Sequence, residues 1–331
     1  MYPVYDLNNC YIDSILVALF APDTDIDRFF ARTGDLSPAH QCLGDLIGLI
    51  RGSKKGHCYN TSTFRQILFR QFPTANFSQD TAAEPKDAAD FLAYFLDIFP
   101  IPGTIVERTR RLEYRPVLVR GNPKAFDLVE HFGEPDSGDS AIRFENRTMW
   151  IISSGALVEG RPISAYLETR EVFEQLGLEK YISTPWCALP GGCAHSLPGD
   201  CAHSLPGGCA HCLVVRAPFK LIKNTAFDYT SLPCLFICPS RASTGTGSDT
   251  ASLVPDEFFV KHGRHFQFTS VVCFRAGHYT CYYRRSGFWY YYNDIGNAAG
   301  TFQDIRISCA DLLVDCSRNG VIYVYTACTP N

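Results

Sequence analysis

The spacing of apolar residues changes along this chain, and the change limits the folds open to it. Within the first hundred residues, apolar side chains recur at helical spacing in four segments: DLNNCYIDSILVALF, QCLGDLIGLIR, STFRQILFRQF and PKDAADFLAYFLDIF. From about residue 104, short β-rich runs such as EYRPVLVR and RTMWIISS alternate with Gly, Pro, Asp and Ser. A helical pattern returns in ISAYLETREVFEQLGLEKYI, and strands dominate from residue 213. Helices first and strands later predict an α+β fold.

Composition predicts an ordinary globular protein. The 331 residues are 46% hydrophobic and 19% charged, enough for one sizeable domain or two small ones. The formal net charge of -4 gives no electrostatic case for binding nucleic acid or an anionic membrane surface. The N-terminus lacks a secretory signal pattern, and no apolar stretch is long enough to span a bilayer. We therefore expect an intracellular protein, in cytoplasm and/or nucleus. The oligomeric state is not predicted.

The cysteines do not have the pattern of a disulfide scaffold. Their number, 15, is odd, and five of them crowd into residues 187–212. Three near-identical octamers, LPGGCAHS, LPGDCAHS and LPGGCAHC, fill residues 189–212. Thiolate and imidazole are good zinc ligands, but one residue separates Cys from His in each octamer, unlike known structural knuckles. Tandem duplication is the favoured explanation, and we predict neither a metal nor a cofactor.

Cys10 stands directly before the first apolar helical run. Asn8 and Asn9 are good N-cap residues, so Cys10 is expected in the first helical turn. The partial positive charge at that end of a helix stabilises a thiolate, which suits a nucleophile. Cysteine is also among the most buried residue types, so this segment alone leaves a core thiol as the alternative.

His278 begins the segment GHYTCYYRRSGFWYYYND, which predicts two aromatic strands around a turn at Arg285–Gly287. Pairing the strands about Ser286 places His278 opposite Asn293 or Asp294, on the same face of the hairpin. A histidine that faces an amide or a carboxylate is half of a catalytic triad. A strand histidine that is merely hydrogen-bonded is the alternative.

The fourth helical segment carries acidic residues opposite its apolar face. Asp87, Asp90 and Asp97 lie on that side, while the apolar residues from Ala88 to Phe99 form the buried face. A ridge of this kind binds a basic ligand or simply faces solvent.

Four segments together resemble the motif boxes of the ubiquitin-specific proteases, whose catalytic core is papain-like. NNCYIDSILVALF resembles the family's Cys box, KDAADFLAYFLD its acidic helix, YTSLPCLFICPSRA its LP-x-x-L strand and GHYTCYYRRSGFWYYYND its His box, in the family's order. The resemblance implies a single catalytic domain over residues 1–331. Its regions would be a helical thumb to about residue 103, a β-rich fingers region over 104–212, and an antiparallel-sheet palm over 213–331.

The resemblance also implies roles for individual residues. Cys10 would be the nucleophile, His278 the general base and Asn293 the group that orients it, with the adjacent Asp294 able to share that role. Asp87 and Asp90 match the acidic residues that bind the ubiquitin tail in the family. The implied activity is a thiol-dependent hydrolysis after the C-terminal Gly-Gly of ubiquitin or a ubiquitin-like modifier, which would be the partner.

The sequence departs from the family at two points. Tyr5 occupies the position where the family usually has an oxyanion-stabilising Asn, so Tyr5, Asn8 and Asn9 are all candidates for that donor. The family's zinc finger is built from two C-x-x-C pairs, and this sequence does not contain two such pairs, which argues against zinc. Two alternatives therefore accompany the deubiquitinase: an inactive ubiquitin-binding pseudo-protease, and a cysteine protease or acyltransferase of other specificity.

Overall fold

The computed structural model describes residues 2–3, 9–30, 37–52, 58–59, 61–81, 84, 86–118, 126–132, 142–146, 149–152, 156–175, 179–183, 212–216, 219–239, 253–294 and 305–328. Tyr5, Asn8 and residues 189–211 of the octamers lie outside the described residues. The expectations for them stay predictions.

Five helices occupy the described residues: α1 (Cys10–Phe20), α2 (Pro38–Gly52), α3 (Ser62–Gln71), α4 (Ala88–Ile98) and α5 (Cys309–Asn319). The first four confirm the helical spacing read from the sequence. Every residue of α1 is buried, as expected of a helix that is apolar on most of its surface. The helix ends at Phe20, one residue before the Ala-Pro pair, because proline cannot continue it.

Helix α4 has the amphipathic pattern that its sequence predicts. Phe91, Leu92 and Phe95 are buried, whereas Asp90 and Asp97 are exposed. Its aromatic side chains pack in a cluster with those of α1 and α3 and of the intervening turn, including Tyr11, Phe69 and Phe77. The helix therefore buries one face in the core and leaves its acidic ridge in contact with solvent.

The chain divides into two compact units. The first comprises Met1–Ile105, Glu145–Leu167 and Phe227–Asn331, and the second Val106–Phe144 and Glu168–Ala226. The units do not coincide with the three expected regions, since residues 145–167 join the first unit and residues 213–226 join the second. The organisation as one catalytic domain stays a prediction.

The first unit is built on an eight-stranded sheet in the order β16-β15-β14-β13-β17-β11-β6, with β12 paired to β13. Its strands are β6 (Met149–Ile152), β11 (Cys234–Pro239), β12 (Phe258–Lys261), β13 (Arg264–Arg275), β14 (His278–Arg285), β15 (Phe288–Tyr292), β16 (Ile305–Ile307) and β17 (Gly320–Cys328). The pairings are antiparallel except between β11 and β6. One face packs on α1 and the other on a second apolar cluster that includes residues of α5. A short parallel pair, β1 (Tyr2–Pro3) with β2 (Cys58–Tyr59), also belongs to this unit.

The described residues of the second unit form β-strands. Its strands are β3 (Thr104–Leu118), β4 (Phe126–Phe132), β5 (Ile142–Asn146), β7 (Glu168–Gln175), β8 (Glu179–Ser183), β9 (Cys212–Arg216) and β10 (Phe219–Phe227). The helix expected over residues 163–182 is wrong, because β7 pairs along its length with β10 and β8 pairs with β9. Among the described residues of this segment, only a 3₁₀ turn at Ile163–Tyr166 is helical. Backbone pairing with strands distant in sequence overrides the local pattern.

A membrane-spanning helix is not found in the part of the chain that the structure describes, since none of its helices combines the required length and apolar character.

Candidate active site

Cys10 is the first residue of α1, as the sequence predicts. Its side chain is 8% exposed, at the edge of the core that α1 fills. Ser270 of β13 fixes the helix to the sheet, because its hydroxyl donates to the Ala18 carbonyl at 2.7 Å. The thiol therefore lies at a rigid helix N-terminus, where the helix dipole stabilises negative charge on sulfur.

His278 begins β14 in a tight hairpin with β15. The turn residues Ser286 and Gly287 have φ values of 50° and 78°, as a two-residue type I′ turn requires. The register pairs Arg285 with Phe288. If this pairing continued along both strands, residue 295 would lie opposite His278, and not Asn293 or Asp294 as the sequence predicts. Strand β15 ends at Tyr292, and the chain that follows brings the side chains of residues 293 and 294 back to His278.

Three side chains meet at the His278 ring. Its Nε2 lies 2.9 Å from Asn293 Oδ1 and 2.9 Å from Asp294 Oδ1. The N–H direction suits donation to Asn293, whereas the contact with Asp294 is an ion pair between a half-buried ring and a fully buried carboxylate. Because Nε2 faces these two groups, Nδ1 is the nitrogen left for Cys10, whose side chain also interacts with the ring.

These contacts favour the protonated ring. Burial opposes the charge, but the contacts with Asp294, Cys10 and Asn293 and the negative charge of Asp294 outweigh it and raise the pKa of His278 to about 10. At neutral pH the ring therefore carries a proton, and a thiolate on Cys10 would be stabilised by an imidazolium partner as well as by the helix. This is the charge arrangement of an activated cysteine nucleophile.

Asp294 should control the protonation of His278 more strongly than Asn293 does. We expect Asp294→Asn to lower the pKa of His278 by at least about one pH unit, because it removes a buried opposite charge. Asn293→Ala removes an uncharged hydrogen-bond partner and should lower that pKa by less. An NMR titration of the His278 ring measures both, and a larger change in Asn293→Ala would contradict this ranking.

Asn9 is directed away from the position of an oxyanion. Its Nδ2 donates to Asp13 Oδ2 at 2.7 Å and to Thr61 Oγ1 at 3.2 Å, which engages both amide hydrogens. The Asn9 side chain is therefore a poor candidate for the oxyanion donor, contrary to expectation. The backbone N–H of Cys10, in the first turn of α1, has no intrahelical acceptor and remains a donor for that role.

Asp87 and Asp90 are both exposed, but their surroundings differ. Asp87 is the N-cap of α4: its Oδ1 accepts from the backbone N–H groups of Ala89 at 2.7 Å and Asp90 at 3.2 Å. Its Oδ2 accepts from the hydroxyl of Tyr279 at 3.2 Å, and Tyr279 is the residue that follows His278 in the chain. Partial burial and the charge of Asp87 raise the pKa of Asp90. Asp90 is therefore the freer of the two carboxylates to take a ligand.

Sequence reasoning did not single out Asp13, Thr61 or Tyr279. The signal for Asp13 was a charged residue inside an otherwise apolar helix. Thr61 and Tyr279 carry no comparable signal. Among the described residues, no group of three or more His, Cys, Asp or Glu is arranged to hold a metal ion.

Comparison with known proteins defines the fold class. No family model matches the chain, and no curated relative is found. Among solved structures, the pseudoubiquitin hydrolase–RNA exonuclease module of Pan2 from Saccharomyces cerevisiae is similar, with a TM-score of 0.54 and 12% identity over 97% of this chain and 52% of that one. The Pan2 pseudoubiquitin hydrolase matches with a TM-score of 0.50 and 12% identity over 98% and 84%.

An essential yeast splicing factor is also similar, with a TM-score of 0.54 and 9% identity over 99% of this chain and 69% of the other. The chain spans about half the length of the Pan2 module. At these identities the similarity concerns the fold alone. The chain therefore has the predicted α+β, papain-like cysteine protease fold.

Proposed function

We propose that this chain is a thiol-dependent deubiquitinase that cleaves after the C-terminal Gly-Gly of ubiquitin or a ubiquitin-like modifier. One observation carries the proposal: Cys10 at a helix N-terminus, His278, and the pair Asn293 and Asp294 converge within a papain-like fold. The resemblance of four ordered sequence segments to the ubiquitin-specific proteases supports the substrate class.

The reaction needs each of these groups. The Cys10 thiolate attacks the carbonyl carbon of the modifier's last glycine, and the charge that develops on oxygen is met by the Cys10 N–H. The C–N bond breaks as the His278 imidazolium gives its proton to the leaving lysine amine. Neutral His278 then takes a proton from water, whose oxygen attacks the thioester. Breakage of the C–S bond returns the thiolate and releases the glycine carboxylate.

We assign binding of the modifier tail to Asp87 and Asp90 at the N-terminal end of α4, and not to Asp97. The tail carries arginines, and carboxylates bind guanidinium groups through directed hydrogen bonds. Asp90 would contribute most, since Asp87 already caps the helix and accepts from Tyr279. Both residues stay candidates for this role.

Replacing Asp90 with alanine should raise KM about threefold to tenfold and leave kcat within about twofold, as expected for the loss of one exposed charge pair. Asp97→Ala is the matched control, since Asp97 is exposed on the same helix. Asp87→Ala is a poorer probe, because loss of its N-cap should also lower the free energy of unfolding by about 1 kcal/mol. Equal KM values for Asp90→Ala and Asp97→Ala would exclude Asp90 from tail binding.

The remaining expectations form part of the same proposal. The net charge of -4 favours a protein modifier over nucleic acid or an anionic membrane surface as the partner. An intracellular location, in cytoplasm and/or nucleus, fits a substrate of this class. Free thiols at Cys10, Cys234 and Cys238 are compatible with a reducing compartment.

The test is turnover of ubiquitin that carries a fluorogenic C-terminal amide, alongside ubiquitin-like modifiers with the same Gly-Gly terminus. We expect release of the fluorophore from at least one modifier. The proposal is wrong if the folded protein releases it from none of them.

A pseudo-protease is the second candidate, because two of the similar structures are pseudoubiquitin hydrolases. This candidate predicts that the chain binds a modifier without cleaving it. The converging Cys10, His278 and Asn293 argue for an active enzyme, and the turnover assay, run with a binding measurement, separates the two.

A further inference from the structure

Asp13 is a buried carboxyl that the proposed chemistry does not use. It lies one turn after Cys10 on α1 and is completely buried. A buried carboxyl is costly unless hydrogen bonds satisfy both of its oxygens. Its contacts therefore indicate what it does.

Asp13 closes a ring of three buried side chains with Asn9 and Thr61. Oδ2 accepts from Asn9 Nδ2 at 2.7 Å, and Oδ1 accepts from the Thr61 hydroxyl at 2.7 Å. The same Asn9 Nδ2 donates to Thr61 Oγ1 at 3.2 Å. Asn9 is also held through its backbone, because its carbonyl accepts from the N–H of Asp13 at 3.0 Å. Residue 13 thus fixes residue 9 at two points.

This ring changes the helix N-terminus at which Cys10 lies. An asparagine at the N-cap normally accepts a hydrogen bond from a first-turn N–H group. Asn9 is the N-cap of α1, yet its side chain makes no capping hydrogen bond, since its amide is turned to Asp13 and Thr61. The first-turn N–H groups are therefore not capped by Asn9, and the peptide that carries the Cys10 N–H is held in place.

We propose that Asp13 is a positioning residue that, through Asn9, aims the Cys10 N–H at the oxyanion and keeps the Asn9 amide from capping that end of α1. The inference rests on the proposed thiol chemistry of Cys10, not on the identity of the modifier. Thr61 is the third member of the ring and acts through the same contacts.

The surroundings of Asp13 shift its pKa, and its shape suits a conservative replacement. Burial raises its pKa well above the ordinary value, and the nearby Asp294 and Cys10 add to the effect, against the hydrogen bond from Thr61 and the charge of Arg65. A carboxyl and a carboxamide have nearly the same shape. Asparagine at position 13 can accept from Asn9 through its oxygen and donate to the Thr61 hydroxyl through its nitrogen.

The experiment compares two reactions of Cys10. Alkylation by iodoacetamide needs the thiolate but forms no oxyanion, whereas acylation by p-nitrophenyl acetate passes through an oxyanion. The folded, full-length chain is treated with each reagent, and the rate of modification at Cys10 is then measured by peptide mass mapping. Cys10→Ala gives the background. Neither reagent involves ubiquitin, so failure of the modifier assignment and failure of this inference are separate results.

We expect Asp13→Ala to slow acylation about 30-fold and alkylation by less than about threefold, because only the reaction that forms an oxyanion depends on how the Cys10 N–H is aimed. Asp13→Asn should restore acylation to within about threefold of wild type. Ser14→Ala, at a neighbouring buried hydroxyl of α1 outside the ring, is the matched control and should change neither rate more than about twofold.

Thr61→Val carries the test if Asp13→Ala does not fold. This variant removes the hydrogen bonds of the Thr61 hydroxyl to Asn9 and Asp13 and keeps the hydrogen bond between Asn9 and Asp13. Acylation should therefore slow about fivefold, and alkylation should not slow. Equal slowing of both reactions would indicate a merely structural role and overturn the inference. Unchanged acylation in the folded variants would overturn it too, as would a wild-type Cys10 that is acylated no faster than cysteine in the unfolded chain.

Discussion

Replacing Cys10 with alanine should lower kcat for hydrolysis of a modifier's C-terminal amide by at least about 10⁴-fold, because the covalent thioester can no longer form. The fold should persist, since the change removes one sulfur atom from a side chain at the edge of the core. Binding of the modifier should also persist. Turnover and equilibrium binding, measured on the same preparation, check both statements.

Cys309→Ala is the matched control for this variant. Cys309 is an exposed free thiol at the start of a different helix, so its loss should leave turnover unchanged. Hydrolysis by Cys10→Ala above a tenth of the wild-type rate would remove Cys10 from the mechanism.

Replacing His278 with glutamine should lower kcat about 10³-fold to 10⁴-fold, because the reaction loses both the imidazolium partner of the thiolate and the acid that protonates the leaving amine. KM should change little, since His278 acts on the reacting atoms. His265→Gln, on a neighbouring strand of the same sheet, is the control for a general effect of losing a histidine. Equal activities of the two variants would contradict the assignment.

The raised pKa of His278 also sets a pH dependence. Because the ring holds its proton up to a pKa of about 10, kcat/KM should remain high through neutral pH and fall only as the pH approaches about 10. A folded-state pKa above the ordinary 6.5 means that this group stabilises the fold fully below about pH 6.5 and loses that contribution as the pH rises through about 10. A fall in kcat/KM centred near pH 6.5 in the wild type would contradict this account.

The features that the sequence predicted well are local. The helix from Cys10 to Phe20, the burial of one face of α4 and the hairpin after His278 each follow from patterns within about fifteen residues. The meeting of His278 with Asn293 and Asp294 was predictable because a two-residue turn fixes which residues return to its start. The register differs slightly from the expected one, since the turn is centred between Ser286 and Gly287.

The features that were missed depend on distant contacts. Residues 163–182 have helical spacing, but residues 168–175 pair as a strand with residues 219–226 and residues 179–183 pair with residues 212–216. No local pattern in the sequence indicates these partners. Thr61 reaches Asp13 across 48 residues of sequence. That contact turns the Asn9 side chain away from its expected place at the oxyanion. Helical periodicity places Asp13 in α1, but it contains no information about the groups that satisfy its carboxyl.

The most direct test of the central claim is the intact mass of the protein after mixing with ubiquitin that carries a C-terminal thiol-reactive electrophile. Ubiquitin-like modifiers with the same warhead are run in parallel, and Cys10→Ala is the control. The account predicts a single adduct, the mass of one modifier, that maps to Cys10 and is lost in the control. No adduct from the folded protein with any modifier, or an adduct that persists in Cys10→Ala, would contradict it.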